Sequence, residues 1–276
     1  MDARNIHIVS NPTRDIGMEA AKRAAQLLEG RGCVSRIFER MPESFAQDDY
    51  PELIGVIGGD GTIMRAARAA ATLRIPILGV NCGHLGYLAE LEQSEIGLIE
   101  RYLSGEYTVE RRMMLDVRVA GRSYLALNDA VISHGVLSRM AEIELFCGSE
   151  KVSRYHADGL IAATPTGSTA YSLSAGGPVV DPRLDCVIVT PICPHTLGAK
   201  PLIFSPDMVL RAVNAYQPRT GGESGYGDLY LTVDGIESVS LPRGAEASVT
   251  RAGITTSFIR MNRRGFYGVM SEKLSD

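Results

Sequence analysis

Up to about residue 112 the chain alternates short apolar runs with longer stretches whose alanines, leucines and isoleucines recur at helical spacing. IHIV at 6–9 is such a run, stopped by Ser10-Asn11-Pro12, and MEAAKRAAQLLEGRG then reads as a helix. VSRIFER at 34–40 predicts a strand, LIGVIGG a buried strand, TIMRAARAAATL a helix, and PILGV at 76–80 another buried strand. Strands that are apolar throughout and separated by helices belong to parallel sheets covered on both faces. Ligands on such sheets collect at the carboxyl ends of the strands, where Asn11, the loop Gly58-Gly59-Asp60-Gly61-Thr62 and Asn81 all fall.

Beyond residue 112 the period shortens to two. MLDVRVA, SYLALNDAVIS, AEIELFCG, KVSRYHADGLIAAT, DCVIVTPI, LYLTVDG and AEASVTRA each read as strand-like segments. The Gly/Pro/Ser-rich stretch YQPRTGGESGYGD at 216–228 reads as a long surface connection among them. With 276 residues the chain exceeds the usual single-domain size of roughly 100–200 residues, so two lobes are expected. The first is an α/β lobe with a parallel sheet, residues 1–112, carrying GGDGT; the second is β-rich, residues 113–252. By pattern alone the closing segment, 253–276, fits against either.

Charge narrows the partners. Twenty-eight basic and 32 acidic residues are interspersed for a net −4, which leaves no general footprint for nucleic acid or an anionic membrane, so an anionic ligand must be held locally. CVIVTPIC at 186–193 is among the longest apolar runs and falls well short of the ~18 residues a membrane span needs. MDARNIHIVS lacks the basic and apolar regions of a secretory signal. The cysteines at 33, 82, 147, 186 and 193 form no CxxC pair and read as reduced structural thiols of a cytoplasmic protein.

GGDGT is neither common nucleotide loop: it lacks the Lys-Ser/Thr of a P-loop, and Met64 stands where GxGxxG needs its third glycine. Its glycines still allow a sharp turn that brings the N–H groups of Gly59, Gly61 and Thr62 near a phosphate at a helix start. A negative Asp60 in that cradle has three explanations. It caps the helix, it holds Mg²⁺ against phosphates, or it accepts the proton of an attacking hydroxyl. A second loop runs from Asp158 through Thr164-Pro165-Thr166-Gly167 to a helix start at Ser168-Thr169 and on to Pro178, gathering hydroxyls and N–H groups without permanent charge. Such a surface suits the sugar, base edge and pyrophosphate of a nucleotide, with Tyr171 able to lie against a ring and Asp158 to bond an amino or amide group. Asn128-Asp129 interrupts the apolar SYLALNDAVIS and needs either ligand hydroxyls or an internal network to satisfy it. Asp234-Gly235 is explained by a β-turn, and neither His84 nor His195 has metal-ligand spacing.

Together these motifs resemble the NAD kinase family, which phosphorylates the 2′-hydroxyl of the adenosine ribose of NAD to give NADP. The resemblance covers nearly the whole chain: SNPTRD, GGDGT, LGVNCGHLGYL at 78–88, LNDAVI, DGLIAATPTGSTAYSLSAGGPVV, PICPHTLGAKPL at 191–202, TVDG and FYGVMSEKL. GGDGT alone is shared with lipid kinases, and a dinucleotide-binding sensor without catalysis is the reading from outside the enzymes; the long TPTGSTAYSLSAGGP segment and an intact Asp60 favour the kinase. The resemblance implies Asp60 as proton acceptor with Gly61 beside it, and dinucleotide contacts at Asn128, Asp129, Arg139, His156, Asp158, Thr166 and the run Thr169, Ala170, Tyr171, Ser172, Leu173, Ser174. It also implies ATP as phosphoryl donor, NAD as acceptor, a divalent metal such as Mg²⁺ with no dedicated protein ligands named, a homodimer or homotetramer, and a chain end that returns to the first lobe. Asp129 stands where the family has Glu, shortening its reach by about one methylene, His156 where it often has Arg or Lys, and Leu88 where some relatives carry a second aromatic.

Overall fold

Parallel pairing organises the amino-terminal residues of the structure, a computed structural model that describes residues 4–83, 86–134, 140–196, 198–216, 228–261 and 265–274. Strand β1 (Ile6–Ser10) is buried at every position and lies between β2 (Ile37–Phe38) and β3 (Leu53–Gly58), and β3 pairs in parallel with β4 (Ile77–Asn81). The short β5 (Leu91–Glu92) runs beside the end of β4. Helix α1 (Glu19–Glu29) turns Ala20, Ala21, Ala24, Ala25 and Leu28 inward, and α2 (Asp60–Leu73) turns in Ile63, Ala66, Ala67, Ala70 and Ala71. A glycine on β4 lets α2 approach closely: a Cβ on Gly79 would stand 3.0 Å from Ile63 Cδ1. The buried Asp15 ties α1 to the sheet, its carboxylate accepting the N–H groups of Ala20 and Ala21 and the hydroxyl of Ser10.

VSRIFER is a full strand only at Ile37–Phe38. Val34 and Arg36 still accept the N–H groups of Ile6 and Ile8, but Glu39 and Arg40 leave the sheet and are exposed. Past a 3-10 helix at Gln93–Tyr102, β6 (Thr108–Val119) leads into the second unit, which comprises Met113–Gly253.

That unit holds β7 (Arg122–Ala126), β8 (Asp129–His134), β9 (Ala141–Cys147), β10 (Glu150–Ala157) and β11 (Gly159–Ala163), then the one-turn helix α3 (Tyr171–Ser174). It continues through β12 (Val187–Ile192), β13 (Leu202–Phe204), β14 (Leu210–Asn214), β15 (Leu229–Val233) and β16 (Glu237–Leu241) into β17 (Glu246–Arg260). Antiparallel pairing gives one row, β10-β9-β14-β17, and a second, β13-β12-β11-β8-β15-β16, while β6 and β7 form a hairpin. Inward residues from both rows make one core, including Ile143, Leu145, Ile132, Leu160, Val189 and Leu231.

Two segments that read as single strands are each broken in two. SYLALNDAVIS changes partners at Leu127-Asn128, β7 pairing with β6 and β8 with β11 and β15. KVSRYHADGLIAAT changes at Asp158, β10 pairing with β9 and β11 with β8 and β12. The reason is close approach: a Cβ at Gly159 would lie 2.4 Å from Ile132 O, so β11 restarts at a glycine pressed on β8.

Residues Ile254–Asp276 belong to the first unit with Met1–Arg112. Phe258 of β17 lies in parallel beside Ile77, and in α4 (Phe266–Leu274) the ring of Phe266 sits 6.1 Å from that of Tyr87. No helix among the described residues is long and apolar enough to cross a membrane. The proposed connection at 216–228 falls almost wholly outside the described residues.

Candidate active site

In the first unit β1, β3 and β4 end at one level, and the polar residues that follow them are tied together. Asn11 Nδ2 donates to Thr62 Oγ1 at 3.0 Å, its Oδ1 accepts the N–H and hydroxyl of Thr13, and Asn81 Nδ2 donates to Gly83 O at 3.0 Å. Helix α2 starts two residues earlier than its apolar pattern suggests, with Gly59 as N-cap and Asp60 as first helical residue, so Asp60 does not cap the helix. Its carboxylate turns instead to the segment after β4: Oδ2 accepts Tyr87 N–H at 2.9 Å and Oδ1 accepts Leu88 N–H at 3.2 Å.

The glycines around Asp60 serve different ends. A Cβ on Gly58 would meet Thr62 Cβ at 2.8 Å, so this glycine closes the strand-to-helix turn. A Cβ on Gly86 would fall 1.9 Å from Asp60 Oδ1, so this one admits the carboxylate. Among the described residues a Cβ on Gly59 would meet nothing within 4 Å and one on Gly61 only Arg65 Nη1 at 3.9 Å, so on the side a side chain would take, both positions are open to a ligand. A cavity of about 570 Å³ reaches the loop at Thr62 and is lined by Asn11 and Thr13 after β1, Glu39 and Arg40 after β2, and Thr62 and Arg65 on α2. That volume is in the range of small-molecule sites.

Behind Asp60 is a buried ionic network. Arg260 Nη1 donates to Leu88 O at 3.2 Å, and its guanidinium pairs with Glu110 at 2.9 Å and Glu90 at 3.5 Å, with the Arg260 side chain only 11% exposed. Glu110 is held below the ordinary carboxylate range by Arg260 and Arg112, which outweigh its burial. The Tyr87 phenol is pushed up by burial first and by the Asp60 charge second.

In the second unit Asn128 and Asp129 sit where the chain passes from β7 to β8. The Asp234 carboxylate takes the N–H groups of Leu127 and Asn128 at 2.8 Å each and that of Asp129 at 3.1 Å. Asp129 is 6% exposed, and burial, followed by the Asp234 charge, pushes its carboxyl up to about 7. The half-buried Asn128 carboxamide makes no hydrogen bond among the described residues.

The threonine- and serine-rich loop is less open than its sequence implies. A 3-10 turn at Gly167–Thr169 precedes α3, and three hydroxyls point inward: Thr164 Oγ1 to Leu127 O at 2.6 Å, Ser168 Oγ to Pro165 O at 2.7 Å, and Ser172 Oγ to Thr190 Oγ1 at 2.9 Å. Thr166 is buried and accepts the Thr169 hydroxyl on its carbonyl at 3.3 Å. Ala170 and Leu173 are half-buried, while Tyr171 and Ser174 are exposed. Asp158 is exposed too, its N–H bonded to Ile192 O, and His156 on β10 faces Glu142 with Nδ1 3.5 Å from Oε1. Arg139 and His84 lie outside the described residues.

Sequence reasoning missed three participants: Asp234, read only as a turn; Gly86, seen only within a longer motif; and Arg260. The Asp-Gly turn after LYLTV marks the position of the first but not where its carboxylate goes, and nothing local marks the other two.

Residues 43–107 match the model of the ATP-NAD kinase N-terminal domain and residues 127–261 that of the ATP-NAD kinase C-terminal domain. The NAD kinase of Symbiobacterium thermophilum is 44% identical over 240 residues, covering 85% of this chain and 82% of that protein. The NAD kinase of Thermoanaerobacter sp. strain X514 is 36% identical over 289 residues, covering 99% of each. Among solved structures, an NAD kinase from Archaeoglobus fulgidus in complex with ATP superposes with a TM-score of 0.78 at 27% identity, covering 96% of this chain and 99% of that one. Yeast NADH kinase complexed with NADH gives 0.83 at 25% identity, covering 99% and 88%.

Proposed function

The chain belongs to the NAD kinase family, and from that premise we infer that it transfers the terminal phosphoryl group of ATP to the 2′-hydroxyl of the adenosine ribose of NAD, with Asp60 as proton acceptor. The observation that carries the role of Asp60 is its carboxylate, aimed by the Tyr87 and Leu88 N–H groups and not spent on capping its own helix. Each oxygen accepts one N–H and keeps acceptor capacity for a hydroxyl.

In the reaction the hydroxyl oxygen attacks the γ-phosphorus, its proton passes to Asp60, and the bond from γ-phosphorus to the bridging oxygen breaks to release ADP. Arg65 and Arg40, lining the cavity beside the loop, offset the triphosphate charge, and the open sides of Gly59 and Gly61 allow phosphate oxygens to reach backbone N–H groups. Asn128, Asp129, Asp158 and the 169–174 run bind the dinucleotide. Mg²⁺ draws most of its ligands from phosphates and water and needs no dedicated protein ligand here; when bound it would neutralise charge on the transferring phosphoryl group. The family resemblance supports a homodimer or homotetramer, and five unpaired cysteines fit a reducing cytoplasm.

The test is NADP formation by purified protein from NAD, ATP and Mg²⁺, read by an NADP-specific dehydrogenase. Product that requires both nucleotides is expected; binding of NAD without any NADP, with ATP or polyphosphate as donor, refutes the reading.

A further inference from the structure

The turn between β15 and β16 explains only half of Asp234. Its φ of 50°, followed by 65° at Gly235, is the left-handed pair of a tight hairpin turn, for which a short polar residue suffices. The destination of its carboxylate is not explained by the turn. Asp234 is only 5% exposed, and it takes three successive backbone N–H groups from Leu127, Asn128 and Asp129 while returning its own N–H to Asp129 O at 2.9 Å.

The other polar groups of the same peptide are held by the nucleotide loop. Thr164 N–H donates to Asn128 O at 2.8 Å, Thr164 Oγ1 donates to Leu127 O, and Gly167 presses so close that a Cβ would stand 2.1 Å from Asn128 O. The backbone N–H and C=O of both Leu127 and Asn128 are thereby satisfied, and the carboxamide of Asn128 is left unspent. Burying a second carboxylate beside Asp129 is costly, and a neutral turn residue would avoid that cost. Expensive polar arrangements of this kind cluster at functional sites.

We propose that Asp234 is a positioning residue of the acceptor site: its carboxylate fixes the Leu127–Asp129 peptide units and so aims the Asn128 carboxamide at a hydroxyl or base edge of the dinucleotide. The proposal rests on the reading of the chain as an NAD kinase. Asp234 touches no substrate in this scheme, and its effect runs through Asn128 and Asp129. Asp129 meets Ala163 from β11 and Asp234 from the β15–β16 turn, the latter being the charged group acting on it among the described residues.

Steady-state kinetics of Asp234→Ala and Asp234→Asn, with thermal unfolding alongside, tests this. For Asp234→Ala the KM for NAD rises about tenfold or more, as expected when a contact is misplaced by a fraction of an ångström, while the KM for ATP stays within about twofold. Asp234→Asn keeps one acceptor oxygen and shows a smaller rise. It also removes the charge facing Asp129, so the pH dependence of kcat/KM for NAD moves to lower pH. If folded Asp234→Asn keeps both the wild-type KM for NAD and the wild-type pH profile, the proposal is overturned, and that variant decides the matter if Asp234→Ala does not fold. Equal losses toward NAD and ATP, tracking only the folded fraction, overturn it too. Wild-type protein that makes no NADP at all is the separate failure of the kinase reading.

Discussion

Replacing Gly86 with alanine perturbs Asp60 without touching it. A methyl there would stand 1.9 Å from Asp60 Oδ1, 2.4 Å from Cγ and 2.6 Å from Oδ2, where non-bonded carbon and oxygen need about 3.3 Å. Either the carboxylate or the 86–88 segment must retreat by about 1 Å or more, and both movements break the hydrogen bonds from Tyr87 and Leu88. Hydrogen bonds to a charged group contribute about 1.5–3 kcal/mol each, so the geometry of the base is lost before its charge is. Misplacement by about 1 Å costs on the order of 10²-fold, at the lower end of the 10²–10⁴ that a general base supplies. The expected result is a turnover about 10²-fold below wild type, with KM values for NAD and ATP within a few fold, measured as NADP formed per minute. Gly97→Ala, at an exposed glycine with no neighbour within 4 Å, is the control and retains full activity. Turnover of Gly86→Ala within about threefold of wild type would show that the base is held by something other than the Tyr87 and Leu88 N–H groups.

Two further outcomes follow from the second unit. Asp129 in the folded chain keeps its proton up to about pH 7, well above an unfolded aspartate, so between about pH 4 and 7 the folded state binds more protons and stability falls as pH rises. Asp129→Asn removes that dependence: its urea midpoint relative to wild type should be higher at pH 8 than at pH 5.5, and an equal difference at both pH values contradicts the assignment. Gly167→Ala would place a methyl 2.1 Å from Asn128 O and 2.5 Å from its carbonyl carbon, both backbone, so the loop must shift. The KM for NAD should rise about tenfold with little change for ATP; an unaltered KM for NAD would show that the loop and the Asn128 peptide move independently.

The strands of the first unit were legible because both of their faces are buried, which makes LIGVIG and ILGV free of polar side chains and IHIV so except at His7, and the loop residues after them mark the strand ends. Asn11, Asp60 and Asn81 could therefore be set at the carboxyl ends of the strands from sequence. The break in SYLALNDAVIS could not, since residues on either side share one strand preference and the carboxylate that holds the break comes from Asp234, 106 residues beyond Asn128. Nor does TPTGSTAYSLS say which hydroxyls turn inward, because the partner of Ser172 is Thr190 on β12. VSRIFER kept strand geometry only at its centre, where β1 covers it; an isolated pattern of alternating residues does not report how much of an edge is paired. The contact between Gly86 and Asp60 depends on the return of the chain after β4, a tertiary event without a local signature.

The proposed reaction turns on Asp60 accepting the proton of the ribose hydroxyl. Asp60→Asn retains the size and part of the hydrogen bonding of the carboxylate but not its basicity, so it isolates that step. NADP formation and NAD binding are measured on the same preparation, wild type beside variant. NAD affinity is expected to stay within a few fold of wild type while turnover falls by about 10² or more; turnover at the wild-type rate would remove Asp60 as the proton acceptor.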